Sequence, residues 1–214
     1  SGKVAGTLSI ASSHHIGLHR LPPLLKHYSQ CYPDVELDMR FLDSETACNQ
    51  VEHGELELAL ITLPPTITDS LQTEIIWHDP LTVVVSTDDP MARQSVSLQQ
   101  LLRKKAILPQ TDTFTRNIID RWFNIQGLRV ETIMETNNLE TIRKMVEIGL
   151  GWSILPTTML NPALHTLQIP GLVLERNLGM IHHKNRTLSN SANAMIQLLQ
   201  PESEASIRIQ SARN

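Results

Sequence analysis

The sequence lacks the features that mark membrane, disulfide-rich secreted and nucleic-acid-binding chains. Its two cysteines, Cys31 and Cys48, are too few to form a disulfide framework. No apolar run is long enough to cross a bilayer, and the first residues contain no apolar signal-peptide core, so we predict a cytoplasmic location. The formal net charge is -4 and the Lys and Arg residues are scattered, so these residues should by themselves bind DNA weakly or not at all.

Signatures of common catalytic, cofactor and metal sites are also missing. There is no phosphate-binding loop and no Gly-x-Ser-x-Gly elbow, and the one Gly-x-Gly, at residues 149–151, follows a helical pattern rather than a strand. We therefore predict neither catalytic residues nor a cofactor. His15 and His19 have a chelating spacing and His14 adds a third imidazole, but no cysteine or carboxylate is placed nearby to complete a site. We accordingly expect no bound metal.

The first half of the chain alternates strand-like and helix-like segments. Val35 to Phe41 alternates apolar and charged residues, the pattern of a strand with one buried face. Further strands are predicted over residues 7–11 and 58–63, with helical patterns between the three. The first helical pattern is interrupted at Pro22-Pro23, which predicts a kink or a second helix start at Pro22. The alternation predicts a mainly parallel sheet with right-handed crossovers.

The second half repeats this alternation, with strands predicted over residues 106–108, 130–134 and 152–155. Asp112 or Thr113 is placed to cap the helix that follows the first of these strands. Asn137 is placed to cap the next helix, with Glu140 three residues later as its reciprocal partner. The chain is therefore predicted to be an α/β protein built from two strand-helix units in tandem.

The segments that join and follow these two halves give further predictions. Residues 74–77 and 81–86 favour extended structure, and Asp79-Pro80 between them indicates a break. A last strand is predicted over residues 178–182 and an amphipathic helix over 188–199. Residues 201–214 are polar, which predicts a flexible tail.

Loops at one edge of each predicted sheet carry the polar candidates for ligand binding. In open α/β sheets, ligands bind beyond the carboxyl ends of the strands. The loops at those ends are rich in hydroxyl, amide and imidazole groups, and several lead directly into helix N-termini, which favour anions. These loops are residues 12–15, 42–44, 62–65, 110–115 and 136–138. We therefore predict a small, anionic ligand.

A series of short motifs resembles the effector-binding domain of LysR-type transcriptional regulators. The motifs occur in the family's order from residue 6 to about residue 200, and they are specific as a series rather than singly. They are Gly6 to Ala11 followed by Leu21 to Leu25, Tyr32 to Leu37, Gly54 to Leu60, His78 to Leu81, and Gly149 to Pro156.

This resemblance implies a two-lobed α/β fold like that of type 2 periplasmic binding proteins. Two Rossmann-like subdomains would enclose a central effector cleft, and the chain would cross between them near Asp79-Pro80 and near Arg176-Asn177. Effector-binding subdomain I would be residues 1–79 plus 177–200. Subdomain II would be residues 80–176, and residues 201–214 would be the flexible tail.

The same resemblance implies a set of effector-binding residues. The polar positions that match the family, together with their polar neighbours, are Ser13, His14, His15, Thr62, Thr113, Asn137 and Asn138. His15 departs from the Ser or Thr that is usual at its position, which suggests a different ligand and pH-dependent sensing. Trp152 is expected to pack in the core.

The resemblance also implies the biological role of the chain, which is that of a ligand-sensing regulatory domain and not of an enzyme. Effector binding between the lobes would shift their arrangement and so control DNA binding and transcription. DNA would be bound only through an N-terminal helix-turn-helix domain that is absent from this chain. The resemblance implies homodimers through subdomain I, with Val35 to Phe41 and the preceding helix as candidate surfaces, and tetramers of the full-length protein.

Two alternatives remain open from the sequence. An extracytoplasmic solute-binding protein would share this architecture, but its precursor would begin with an export signal. A two-lobed enzyme of the prephenate-dehydratase type is the other alternative, because residues 114–117 (Phe-Thr-Arg-Asn) partly resemble that family's Thr-Arg-Phe core.

Overall fold

The computed structural model of the protein describes residues 2–214, which form a mixed α/β structure of nine strands and seven α-helices. The chain order is β1 (Gly6–Ser12), α1 (His14–His19), α2 (Pro22–Cys31), β2 (Val35–Phe41), α3 (Ser44–Glu52), β3 (Leu58–Thr62), β4 (Leu71–Ser86), α4 (Leu98–Leu102), β5 (Ala106–Leu108), α5 (Phe114–Ile125), β6 (Thr132–Glu135), α6 (Leu139–Glu147), β7 (Ser153–Pro156), β8 (Leu164–Leu167), β9 (Leu174–His183) and α7 (Asn190–Arg213). Single 3-10 turns cover Pro90–Arg93 and Thr157–Met159. None of the described helices is both long and apolar enough to span a bilayer.

The chain divides into two compact units. Unit 1 contains residues 2–78 together with Asn177–Asn214, and unit 2 contains Asp79–Arg176. Strands β4 and β9 are shared, since β4 passes the boundary between His78 and Asp79 and β9 passes it between Arg176 and Asn177.

Unit 1 is built around a mixed sheet. Strand β1 lies between β2 and β3 and is parallel to both, as the strand-helix alternation predicts. Strand β9 is antiparallel to β3, with Leu60 opposite Met180. The sequence prediction of a mainly parallel sheet is therefore wrong for the pair β3 and β9. Only parallel neighbours need a crossover connection, so the strand-helix alternation gives no information about an antiparallel strand that comes from far along the chain.

The core of unit 1 lies where helices cover one face of this sheet. Leu8 and Ile10 alternate with polar residues along β1 and are fully buried against α2 and α7. Pro22 begins α2, which confirms the predicted second helix start. Tyr28 on α2 is also fully buried, and its hydroxyl donates a hydrogen bond to the Ser191 carbonyl at 2.9 Å. Burial raises the pKa of this phenol above its ordinary value.

Unit 2 has its own apolar core and one separate sheet, the pair β5 and β6. The second part of β4 is antiparallel to both β7 and β8, while β5 and β6 form a parallel pair. Trp152 is 1% exposed in the main apolar cluster, as expected, and its indole N–H donates to the Lys104 carbonyl at 2.8 Å. Ser97 caps α4 in a capping box with Gln100, which satisfies two backbone N–H groups reciprocally.

Three further differences from the sequence prediction concern single elements. Strand β4 continues through Asp79-Pro80, where a break was expected, because a proline is tolerated in a strand wherever its position needs no N–H donor. Strand β8 is short and has no predicted counterpart. Helix α7 continues through Pro201 to Arg213, where the sequence predicts a flexible tail.

Tertiary hydrogen bonds account for the helical end of α7. The Ser203 hydroxyl donates to the Ile75 carbonyl at 3.0 Å, and the backbone N–H of His78 donates to the Ser206 hydroxyl at 3.1 Å. Both partners lie on β4. These contacts offset the N–H that Pro201 removes from the helix, and polarity alone cannot reveal them.

Candidate functional site

Three chain segments meet at the carboxyl edge of the unit 1 sheet. The backbone N–H of Ser13 donates to the Leu60 carbonyl at 3.0 Å, which ties the end of β1 to β3. The N–H of Thr62 donates to the hydroxyl of Ser44 at 3.0 Å, which ties the end of β3 to the start of α3. The structure thus brings the predicted residues Ser13 and Thr62 to one edge, together with Ser44, which the predicted residue set omits.

Ser13 is the more accessible of the two predicted residues. Its hydroxyl oxygen accepts from the N–H of Ile16 at 3.4 Å and so caps α1. A serine hydroxyl carries one donor and two acceptor positions, so the O–H remains available to a ligand. Thr62, by contrast, is only 3% exposed, so a ligand could contact only a small part of its surface.

The side chains of His14 and His15 lie in different environments. His14 is exposed, and its ring stacks on Phe41 with 6.4 Å between ring centroids. His15 is 8% exposed, and its ring lies 4.6 Å from that of His19. Across residues 2–214, no three side chains of the types His, Cys, Asp and Glu are grouped so that they could hold a metal ion.

In unit 2, the loop after β5 is fixed by side-chain hydrogen bonds. The Thr113 hydroxyl accepts from the N–H of Arg116 at 3.1 Å and donates to the Gln110 carbonyl at 2.8 Å, so Thr113 is the cap of α5. The Asn137 side-chain oxygen accepts from the N–H of Gln110 at 3.1 Å. Asn137 therefore joins the loop after β6 to the loop after β5.

The cap of α6 is Asn138, whose side-chain oxygen accepts from the N–H of Thr141 at 3.1 Å. The sequence prediction that Asn137 caps this helix is wrong by one residue. The cause is the contact with Gln110, because an amide oxygen that is held by one loop cannot also reach the helix end. The side-chain NH2 of Asn138 keeps two donors that point away from its capping oxygen.

A buried arginine supports this edge of unit 2. Arg116 is 5% exposed, and its guanidinium donates to the Pro109 carbonyl at 2.8 Å and to the Asp120 carboxylate at 2.9 Å. A Glu135 oxygen lies 3.4 Å from the same guanidinium. Arg116 thus fixes the end of β5 and joins it to α5 and to the end of β6, on which the loops of Thr113 and Asn137 depend.

A second buried arginine lies where the shared strands enter unit 2. Arg176 on β9 donates to the carboxylate of Asp79 on β4 at 2.6 Å, and the two side chains are 4% and 0% exposed. The Arg176 guanidinium also donates to the Thr115 hydroxyl at 3.0 Å, in the first turn of α5. Sequence reasoning missed both arginines, because a single charged residue gives no sign of a partner that lies far away in the chain.

The chemistry available at these two edges is that of binding. Each edge offers hydroxyl and amide donors next to structured loops, and in unit 2 these loops begin helices of 12 and 9 residues. Helix N-termini and N–H donors favour carboxylate or phosphate groups. Predicted residues therefore converge within each unit: Ser13 and Thr62 in unit 1, and Thr113, Asn137 and Asn138 in unit 2.

Comparison with known sequences gives one family over nearly the whole chain. The family described as "LysR substrate binding domain" matches residues 1–204. A "Probable RuBisCO transcriptional regulator" of Trichormus variabilis is 27% identical over 208 residues, which cover 92% of this chain and 62% of that protein. The "Uncharacterized HTH-type transcriptional regulator YeiE" of Escherichia coli is 28% identical over 201 residues, covering 92% of this chain and 68% of that protein. The chain thus spans somewhat less than two thirds of the first of these relatives.

Comparison with solved structures identifies the same fold. The effector-binding domain of QuiR in complex with shikimate has a TM-score of 0.83 at 16% identity, over 94% of this chain and 98% of that one. The regulatory domain of Synechocystis CcmR in complex with 2-PG has a TM-score of 0.82 at 21% identity, over 92% and 97% of the two chains. These likenesses confirm the predicted two-lobed α/β fold class. Because the family match extends over residues 1–204, the chain belongs to the LysR substrate binding domain family.

Proposed function

We propose that this chain is the effector-sensing part of a LysR-type transcriptional regulator and that it binds a small anionic metabolite without transforming it. One observation carries the proposal: each unit gathers hydroxyl and amide groups at the carboxyl edge of its parallel strands, on loops whose backbone groups are already bonded. Such loops are preorganised, so little ordering is required when a ligand binds. In unit 1 these groups include the Ser13 hydroxyl, and in unit 2 they include the Asn138 amide.

The ligand class follows from the groups that these loops offer. Hydroxyl and amide N–H donors next to the starts of α5 and α6 favour carboxylate or phosphate oxygens. The ligands named for two structural neighbours, shikimate and 2-PG, are the first compounds to test. The prediction that one effector contacts both units stays a prediction.

A thermal-shift screen followed by calorimetry tests this function. We expect a small anion to stabilise the chain and to bind at least about tenfold more weakly after Ser13→Ala or Asn138→Ala, because each change removes ligand hydrogen bonds. Ser97→Ala is the matched control, since it also removes a helix cap but lies on α4. Equal affinity in all three variants, or conversion of the ligand followed by NMR, would contradict the proposal.

We further propose that the chain forms homodimers through unit 1. Strand β2 is an edge strand of its sheet, and its last residue, Phe41, is 46% exposed. Leu18 on α1 is also an exposed large apolar residue of unit 1, at 59%. An open strand edge with apolar neighbours favours association. Tyr28 on the preceding helix, although on a candidate surface in the sequence, is fully buried and cannot contribute directly.

Sedimentation velocity tests this dimer. Leu18→Glu should shift the chain towards monomer, because it places a charge on the exposed apolar surface. Leu160→Glu is the control, since Leu160 is 40% exposed in unit 2. Identical sedimentation of both variants and the parent protein would reject unit 1 as the dimer surface.

In the whole protein, we propose that DNA is bound by residues outside this chain. The relatives named as transcriptional regulators are longer than the match, and the net charge of this chain is -4. A negatively charged chain releases few counterions from DNA phosphates. The chain alone should therefore give no specific shift of promoter DNA in a gel assay, whereas the full-length protein should.

A further inference from the structure

Unit 1 contains a cavity at the opposite edge of its sheet from the proposed effector loops. The cavity has a volume of about 520 Å³, which lies in the range of small-molecule sites. Thr7 and Ser9 of β1 line it together with two further segments, residues 54–57 and residues 183 and 186–189, which are called its walls below. Ser13 follows the other end of β1, about 20 Å away from Thr7 along an extended strand. The cavity is therefore separate from the effector loops.

The two walls are cross-linked by polar contacts. The carboxylate of Glu57 accepts from the N–H of Ser189 at 2.6 Å and from its hydroxyl at 3.0 Å. The guanidinium of Arg186 donates to the carbonyl of Gly54 at 3.3 Å. Gly54 has a φ of +76°, a backbone conformation that favours glycine, and the end of the Arg186 side chain lies directly against it. The cavity is thus a preformed shape rather than a gap between loose loops.

Two oppositely charged side chains that line the cavity, those of Arg186 and Glu55, do not form an ion pair with each other. Arg186 has five N–H donors, and its hydrogen bond to Gly54 uses only one of them. Among residues 2–214, no carboxylate oxygen lies within 4 Å of Arg186, and the carboxylate of Glu55 makes no hydrogen bond or ion pair. The other cation near Glu55 is Arg40, which is already paired with Asp38 at 2.9 Å.

His183 adds a further donor. Its Nδ1 accepts a hydrogen bond from the N–H of Asn185 at 3.1 Å, which in the neutral ring places the proton on Nε2. The carboxylate of a ligand can therefore accept hydrogen bonds from Nε2–H of His183 and from the guanidinium of Arg186. An ammonium group can be met by the carboxylate of Glu55.

We propose that this cavity is a second ligand site, which binds a small zwitterion of the α-amino acid class. The ligand carboxylate binds Arg186 and His183, and its ammonium group binds Glu55. A dianion is disfavoured because Glu55 and Glu57 both line the cavity, and a simple cation is disfavoured by Arg186. Opposite charges that are held apart by the walls select a molecule that carries both.

The probe is the set of the twenty proteinogenic L-amino acids, each added singly at about 10 mM so that ligands with Kd near 1 mM are detected by thermal shift. At least one amino acid should raise the melting temperature. Its N-acetyl and carboxamide derivatives should each bind at least about tenfold more weakly by calorimetry, because each lacks one charge.

Variants then assign the binding to this cavity. Glu55→Gln and Arg186→Gln should each weaken the binding by about tenfold or more, and Arg186→Lys should recover part of it, since lysine keeps the charge but not the planar donors. The matched controls are Glu36→Gln and Lys184→Gln, which change exposed charges outside the cavity lining. These controls should bind as the parent protein does.

Several results would overturn the second site. They are the absence of any stabilising amino acid, unchanged binding by both Glu55→Gln and Arg186→Gln, and loss of the binding in the full-length protein, where preceding residues would then fill the cavity. If the binding depended instead on Ser13 and Asn138, the amino acid would occupy the effector loops and the second site would be rejected. The proposed function and the second site can therefore fail independently.

Discussion

Replacing Asp79 or Arg176 should destabilise the protein far more than the loss of a surface ion pair. Their side chains are 0% and 4% exposed, and the contact between them is 2.6 Å. A single change, Asp79→Leu or Arg176→Met, leaves the other charge buried without its counter-ion. Because water cannot reach the remaining group, its desolvation cost is no longer offset.

The size of the effect follows from this burial. Removing one partner of a buried ion pair costs about 3–5 kcal/mol of unfolding free energy. For a chain of this length, each kcal/mol lowers the melting temperature by about 2–4 °C, so each single variant should melt about 6–20 °C below the parent protein. Arg176→Met also removes the hydrogen bond to Thr115, so it should be the more severe of the two changes.

Calorimetry of the two single variants and of the double variant tests this reasoning. The double variant Asp79→Leu with Arg176→Met should recover most of the lost stability, because apolar side chains can replace a buried ion pair at little cost. Arg208→Gln is the control, since Arg208 and Glu204 are 82% and 66% exposed and 4.0 Å apart. Melting points of the single variants within the range of this control would refute the assignment of a buried pair.

Three further predictions concern individual side chains. Burial raises the pKa of the Cys48 thiol to about 11, so about a thousandth of this thiol is ionised at pH 8. Iodoacetamide should therefore label only the exposed Cys31 in the native protein, which the intact mass would show as a single adduct. The raised pKa of Tyr28 contributes stability that is fully present below the unfolded pKa near 10 and is lost as pH rises through the folded pKa. Tyr28→Phe should therefore flatten the loss of stability above pH 10 in urea titrations, and an unchanged slope would contradict this. Thr113→Ala should cost about 1 kcal/mol in urea unfolding because α5 loses its cap, and a change near zero would contradict that role.

Elements whose pattern depends on local chemistry could be predicted from the sequence. The alternation from Val35 to Phe41 gave β2 with its observed bounds, because one face of a half-buried strand must be apolar whatever surrounds it. Pro22 gave the start of α2, because proline fits the first turn of a helix and not its interior. The cap of α4, Ser97, could also be predicted locally, because a serine hydroxyl accepts from a free backbone N–H at a helix start.

Elements that depend on distant partners could not be predicted. Pro201 and the polar composition predict that α7 ends there. It continues because the Ser203 hydroxyl donates to a carbonyl of β4 and the Ser206 hydroxyl accepts from an N–H of β4. The choice of Asn138 over Asn137 as a cap likewise depends on Gln110, 27 residues earlier in the chain. A ligand is also a partner outside the sequence, so the effector-binding roles of the seven predicted residues stay predictions.

The two edges of the unit 1 sheet differ in the kind of recognition that they can support. At the carboxyl edge, the backbone N–H groups of Ser13 and Thr62 are used within the protein, so uncharged hydroxyls are what a ligand meets. At the amino edge, neither Glu55 nor Arg186 forms an ion pair with any other residue of the range 2–214. Hydroxyl donors discriminate ligands by hydrogen-bond geometry, whereas opposite fixed charges discriminate by ionic state. Raising the ionic strength should therefore weaken binding at the amino edge more than binding at the carboxyl edge, because exposed charges are screened by salt.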